Sequence, residues 1–272
     1  MSEMRSVTPA VVGRGVELRY GDRLALAASD FTIPAGGSTV MIGPNGSGKS
    51  TLLAAIAGLH PVHAGDLQVA GGPPGGTNVA FVMQATKVNE LLPVTVREVV
   101  AMGRYAHLGL WRRFGPADRQ AVEAAILRLG LSDVAGRHLA ELSGGQRQRV
   151  FVAQGLAQEH SILLMDEPTT GLDLVSSAEI ARVVEEETAE GKTVVLAGHD
   201  LAEAAEADHV ILLANRVVAE GPPAEVLVPA LLSEAYQTRI FDAGGILVDD
   251  SAHRAAGRRH VHRRRRGVGG GG

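Results

Sequence analysis

An apolar run, Thr39-Val40-Met41-Ile42, leads directly into Gly43-Pro44-Asn45-Gly46-Ser47-Gly48-Lys49-Ser50-Thr51, and a helix-forming stretch follows from Ser50 to Ala57. This order of buried strand, glycine-rich turn and helix leaves the chain little choice of fold. Gly43, Gly48, Lys49 and Ser50 occupy the fixed positions of a phosphate-binding loop. Glycines at 43, 46 and 48 let the backbone enter conformations closed to residues with a Cβ, so that successive N–H groups turn inward. The result is an anion nest at a helix N-terminus, where the macrodipole favours phosphate. Lys49 then reaches the β- and γ-phosphates and Ser50 is placed to hold Mg²⁺. Read alone, the loop specifies a nucleoside triphosphate and nothing finer.

A second segment narrows the chemistry. Ile162–Met165, four apolar residues, run into Asp166-Glu167-Pro168, which reads as a buried parallel strand ending in two acids. Ligands in α/β sheets sit beyond the carboxyl ends of strands, so Asp166 is placed to meet the Mg²⁺ sphere. Successive strand residues point to opposite sides, leaving Glu167 free to orient and polarise an attacking water. The blander alternative makes Glu167 a helix-start acid beside Pro168. Phosphoryl transfer needs positioning and charge neutralisation more than covalent chemistry, and Lys49, Mg²⁺ and Glu167 supply both.

Taken together, Gly43–Thr51, Gln84, Leu142-Ser143-Gly144-Gly145-Gln146, Ile162–Glu167, Gly171-Leu172-Asp173 and His199 resemble the motif set of ABC-type ATPases, in order and spacing, over roughly residues 14 to 240. The Leu-Ser-Gly-Gly-Gln stretch is the most specific part. The resemblance implies that Ser143, Gly144, Gly145 and Gln146 open a helix, running to Gln158, that caps the γ-phosphate bound by a second subunit in a head-to-tail dimer. It implies that Tyr20, in the strand-like Val16–Tyr20, stacks on adenine, although an ordinary strand aromatic would look the same. Gln84 resembles the glutamine that touches Mg²⁺ and the attacking water; Met83 before it stands where proline is common. Asp173 resembles the aspartate that crosses the dimer interface, and His199, after the apolar strand Thr193–Ala197, the switch histidine at the γ-phosphate.

The implied fold is α/β: a phosphate-loop core with a mainly parallel sheet, an N-terminal antiparallel β-subdomain and an inserted helical subdomain. Alternating strand-like and helical stretches agree with helices on both faces of a parallel sheet. Val16–Tyr20, Leu24–Ile33, Asp66–Ala70 and Asn78–Met83 read as strands, the first of them forming the antiparallel appendage. Val94–Gly103 and Pro116–Gly130 read as helices, with Pro116 in a first turn. The expected ATPase domain spans residues 1–245, with the helical subdomain at about 85–140.

Composition bounds the setting. Hydrophobic residues make up 45% of the 272 positions, enough for a sizeable core, yet no apolar run reaches the ~18 residues of a membrane helix. Met1–Arg5 have no long apolar stretch behind them, so no signal peptide is expected. The absence of cysteine excludes disulfides and thiolate metal sites. The expected location is the cytoplasmic face of the cell membrane, held there by protein contact.

The substrate clue lies in Leu92–Val100 and Met102–Leu110, which resemble the corresponding stretch of zinc and manganese importer ATPases. Iron-siderophore and cobalamin importer ATPases share much of it. Leu108–Trp111 reads as an exposed apolar contact for a permease, with the alternative that Trp111 and Phe114 fill the subdomain's small core. The resemblance implies integral membrane permease subunits, a second ATPase subunit and an extracytoplasmic substrate-binding protein as partners, with no nucleic acid. Rival readings are a chelate importer ATPase, a soluble ABC ATPase acting on nucleic acid or ribosomes, and an ATP-dependent kinase. The kinase has no use for Ser143–Gln146 and Glu167.

Residues 246–272 read as a disordered Arg/His/Gly-rich tail. Seven arginines between 254 and 266 give residues 251–272 about +7, whereas the remaining 19 basic residues face all 30 acids in residues 1–250 and leave that stretch at about −11. A solvated tail, attraction to an anionic leaflet and divalent-metal binding by His253, His260 and His262 compete. The neighbouring arginines repel cations.

Overall fold

The computed structural model describes residues 9–70, 72–76, 78–83, 93–108 and 113–237. Gln84, Trp111 and the basic tail therefore lie outside the described residues. Strands β1 (Pro9–Tyr20), β2 (Arg23–Pro34) and β4 (Ala64–Val69) form an antiparallel sheet in the order β2-β1-β4. A second sheet has the order β5-β6-β7-β3-β8-β9, from β3 (Ser38–Ile42), β5 (Val79–Val82), β6 (Ile162–Asp166), β7 (Thr193–Ala197), β8 (His209–Leu213) and β9 (Val217–Gly221). It is parallel except at the β8–β9 edge.

The apolar runs dictate this arrangement. All five residues of β6 and all five of β7 are buried, as a parallel strand covered on both faces requires. Alternate side chains enter different cores. Ile162 and Leu164 join β1, β2 and helix α1 (Lys49–Ile56) on one face. Leu163 and Met165 join helices α2 (Val96–Leu108), α3 (Pro116–Arg128), α4 (Gly144–Ala157) and α5 (Leu174–Ala189) on the other. α6 (Leu201–Glu206), α7 (Pro223–Val226) and α8 (Pro229–Tyr236) complete the α-helices among the described residues.

Several sequence expectations shift. The expected strand at Asn78–Met83 is β5, and Val79–Val82 pair in parallel with Ile162–Met165. β1 extends back to Pro9, where it pairs with Pro34 of β2. α2 begins two residues later than expected, because Thr95 and Glu98 cap it reciprocally through Thr95 N–H to Glu98 Oε2 at 2.8 Å and Glu98 N–H to Thr95 Oγ1 at 3.3 Å. Leu108 is 6% exposed rather than a surface contact. It continues the stripe of buried Val96, Val100 and Arg104 at four-residue spacing, so the helix period turns it inward. Phe114 is partly buried against the larger core, its ring 6.3 Å from that of Tyr105.

Two charged clusters bind the helical insertion to the core. Arg104 donates to Asp118 Oδ1 at 3.0 Å on α3, to Ala157 O at 2.9 Å at the end of α4, and to Glu159 Oε1 at 2.9 Å. Glu187 of α5 is fully buried and meets Arg128 of α3 at 2.7 Å, His160 at 2.8 Å and Lys192 at 2.8 Å. Burial pushes the Glu187 carboxyl up, but the bonds from His160, Lys192 and Arg128 outweigh it and hold the pKa at about 2. A depressed carboxyl stabilises the fold above its ordinary value of 4.5 and loses that contribution as pH falls through about 2. The depression is equivalent to about 3 kcal/mol at neutral pH. Urea midpoints of the unaltered chain and Glu187→Gln are accordingly expected to differ widely at pH 7 and to converge towards pH 2. A gap that stays constant would contradict this assignment.

Candidate functional site

The phosphate loop spans the end of β3 and the start of α1, and each glycine conformation has a visible cause. Gly43 has φ +152°, and a Cβ there would stand 2.0 Å from Leu213 O of β8. Gly48, the residue before α1, has φ +104°, and its Cβ would meet Ala25 O of β2 at 2.7 Å. Neither position admits another residue without moving a neighbouring strand. Asn45 and Gly46 are exposed, Pro44 half-buried. Ser47 Oγ is buried with no hydrogen-bond partner among the described residues, an orphan that a phosphate oxygen would satisfy.

Lys49 is 5% exposed, and its ammonium donates to Gly43 O at 2.7 Å and Pro44 O at 3.2 Å. Burial lowers its pKa, opposed by the charges of Glu167 and Asp166. Ser50 Oγ donates to Asp166 Oδ1 at 2.7 Å, so residues 116 positions apart in sequence are in direct contact. One hydroxyl and one carboxylate supply hard oxygens but leave most of a cation's sphere to phosphate and water, which fits Mg²⁺.

Glu167 follows β6, and its N–H still pairs with Ala197 O of β7 at 2.9 Å. Its φ of +49° then turns the chain out of the strand. With Tyr20, Arg23, Leu24, Ala25 and Asn45–Thr51 it lines a cleft of about 290 Å³. The cleft thus joins phosphate loop, acid and an aromatic ring that is 57% exposed.

Ser143, Gly144, Gly145, Gln146, Asp173 and His199 are not among the residues that line this cleft. Ser143 and Gly144 are exposed at the start of α4, where Ser143 Oγ accepts from Gln146 N–H at 3.2 Å and Gln146 Oε1 accepts from Ser143 N–H at 3.0 Å. Gly145 is buried because Asp173 and Ser176 press on it; a Cβ would stand 2.4 Å from Ser176 Oγ. Asp173 caps α5 by accepting from Ser176 N–H at 2.9 Å, and the next residues, Leu174 and Val175, are 90% and 67% exposed. His199 is exposed beyond β7, near the Glu203 carboxyl, whose pKa burial raises.

Three supporting residues escaped the sequence reading. Asn215, at φ +56° in the β8–β9 turn, ties the phosphate loop to β2. Its amide donates to Gly46 O at 3.0 Å and Ala25 O at 3.4 Å, its N–H to Ser47 O at 3.0 Å, and its carbonyl accepts from Ala27 N–H at 2.6 Å. Tyr236 of α8 is held by a hydrogen bond with the Gly43 backbone, which opposes the rise in pKa caused by burial. His60 packs against Tyr20. The available signal was Ala214-Asn215-Arg216 between two apolar strands, since asparagine is among the few residues at ease in the left-handed region.

A glycine nest with a buried lysine, a serine–aspartate pair and an acid beyond a parallel strand define a phosphate-loop nucleotide-binding protein. Residues 26–170 match the ABC transporter family, and the chain belongs to it, as one of its ATPases. It is 38% identical over 243 residues to the zinc transport system ATP-binding protein TroB of Treponema pallidum (strain Nichols), covering 88% of this chain and 91% of that one. It is 37% identical over 228 residues to the manganese transport system ATP-binding protein MntB of Bacillus subtilis (strain 168), covering 83% and 91%. Its fold is similar to that of a metal-chelate type ABC transporter in an inward-facing conformation, with a TM-score of 0.75 and 26% identity over 85% of this chain and 90% of that one.

Proposed function

We propose that the chain is the ATP-hydrolysing subunit of an importer for a divalent metal ion, zinc or manganese, working through a separate membrane permease. Identities of 38% and 37% to zinc and manganese transport ATPases, across most of both chains, carry this reading. An iron-siderophore or cobalamin importer is the second reading, favoured by the likeness to a metal-chelate type ABC transporter at 26% identity.

In the proposed cycle Tyr20 takes the adenine face and the loop from Gly43 to Thr51 takes the phosphates. The Lys49 ammonium exchanges its two carbonyl acceptors for β- and γ-phosphate oxygens. Mg²⁺, held by Ser50, Asp166 and Gln84, would neutralise charge on the phosphate oxygens. Glu167 accepts the proton of the attacking water as its oxygen bonds to the γ-phosphorus and the bond to the β,γ-bridging oxygen breaks, leaving ADP. His199 donates to the γ-phosphate. Ser143–Gln146 would serve the cleft of a second subunit, consistent with their absence from the lining of this chain's own cleft, and Asp173 would lie at that interface.

Residues 85–140 would carry the permease contact within an ATPase domain of residues 1–245, leaving the basic run 246–272 outside it. An apolar groove of about 250 Å³ where Val94, Met102 and Leu139 of this segment meet Phe81, Met83 and Phe151 outside it supports docking at its edge. A substrate-binding protein would act on the permease. The test is metal content by mass spectrometry in the source organism, unaltered against Glu167→Gln, under zinc or manganese limitation. A selective fall in one metal is the expected result. A fall confined to iron or cobalt would transfer the assignment to chelate import.

A further inference from the structure

Tyr20 ends β1 with its ring 57% exposed in the cleft. A phenol on a strand terminus is free to change rotamer, and a loose ring stacks poorly on a base because binding must then freeze it. The fold supplies a constraint from another element. The His60 ring lies against Tyr20, centroids 4.5 Å apart and planes inclined by 46°. Behind it stands His63, at 5.7 Å and 37°. The third ring is anchored to Tyr20's own strand: His63 Nδ1 accepts from Arg19 N–H at 3.3 Å, and His63 N–H donates to Glu17 O at 2.9 Å.

His60 is also connected to the phosphate side of the cleft through α1. It lies four residues beyond α1, whose first turn holds Lys49, Ser50 and Thr51. Its N–H donates to Ala54 O at 3.2 Å, as that of Leu59 does at 2.8 Å. Gly58 folds the loop back with φ +72°, against Gly75, which leaves 2.6 Å for a Cβ. One short helix and its own C-terminal loop therefore connect the lysine that grips phosphate to the ring that backs the aromatic platform.

We propose that His60 is a positioning residue for the purine base: it fixes the attitude of Tyr20 and its register with the phosphate loop. This rests on the reading of Tyr20 as the base platform. His60 Nε2 is buried and has no hydrogen-bond partner among the described residues. The ring thus acts through its face, and a phenylalanine can replace it.

The test is calorimetric titration of the full chain with ADP and with inorganic pyrophosphate, neither of which the ATPase reaction consumes. His60→Ala is expected to weaken ADP about fivefold, the worth of one aromatic pair, with pyrophosphate affinity unchanged and His60→Phe restoring ADP. Tyr20→Ala is expected to weaken ADP at least as much. Unchanged ADP affinity in His60→Ala beside a weakened Tyr20→Ala would overturn the proposal alone. So would equal losses for ADP and pyrophosphate, which mark general damage to the loop. A Tyr20→Ala chain that binds ADP normally would overturn the base-platform reading, and the proposal with it.

Discussion

Glu167→Gln is expected to lower ATP turnover by about 10²- to 10⁴-fold, the range that a positioned general base contributes, with ATP affinity retained. The division of labour between the two adjacent acids is the reason. Asp166 is engaged with Ser50, whereas Glu167, turned out of β6 at φ +49°, lines the cleft. Glutamine keeps the size and hydrogen-bonding reach of the side chain but cannot take a proton from water. It also keeps the Cβ, so the backbone cost of the left-handed conformation, roughly 1–2 kcal/mol, is the same before and after. Melting temperature should not move. Loss of a carboxylate near Lys49 removes one charge that supports the ammonium against burial, while the bonds from the ammonium to Gly43 O and Pro44 O do not involve that carboxylate. If two chains close on ATP and open only after hydrolysis, the variant accumulates as an ATP-loaded dimer. Phosphate release, nucleotide titration and gel filtration with and without ATP measure the three consequences. Normal hydrolysis by a chain that stays monomeric in ATP would sink the role assigned to Glu167.

How much of this site the sequence discloses depends on how local its physics is. The phosphate loop is legible because glycines, lysine and helix start are consecutive within nine residues, Gly43–Thr51, even though the atoms that bar a Cβ at Gly43 and Gly48 belong to β8 and β2. β6 and β7 are legible because burial on both faces leaves an uninterrupted apolar run. Which sheet β5 joins is not legible, because β5 follows the antiparallel strands in sequence yet pairs with β6. Its doubly buried Val79, Ala80 and Val82 carried the correct signal, but four residues are too few for periodicity to decide. Leu108 was read as surface because Gly109 suggested a loop; the buried stripe of α2 runs one turn further. Asn215 lies 169 residues from Gly46 and reaches it only because β8 pairs beside β3. Tyr236 and Gly43 are similarly remote. Such contacts follow from sheet order, which local pattern does not contain. The left-handed turn at Glu167 is a further case: nothing in Asp-Glu-Pro specifies it, and it falls where the chain leaves β6 after its last pairing with Ala197 of β7.

Lys49→Ala is expected to act on binding rather than on chemistry, weakening ATP about 10²- to 10⁴-fold. Each charge-assisted bond from the ammonium is worth about 1.5–3 kcal/mol, and loss of two from the phosphates gives that range. Folding stability should change far less, because two effects oppose. The lysine is 5% exposed and burial lowers its pKa, so its removal relieves a desolvated charge. Its removal also strips Gly43 O and Pro44 O of a donor, which costs about 1–3 kcal/mol if water does not replace it. A nucleotide titration beside a thermal melt separates the two quantities. Unchanged ATP affinity would count against the phosphate-loop reading; a large drop in melting temperature would mean that the loop needs the lysine to hold its shape. The contrast with Glu167→Gln is the sharper discriminator. One variant should lose affinity, the other should keep affinity and lose turnover, and that separation is expected only if the cleft grips phosphate with one residue and activates water with the other.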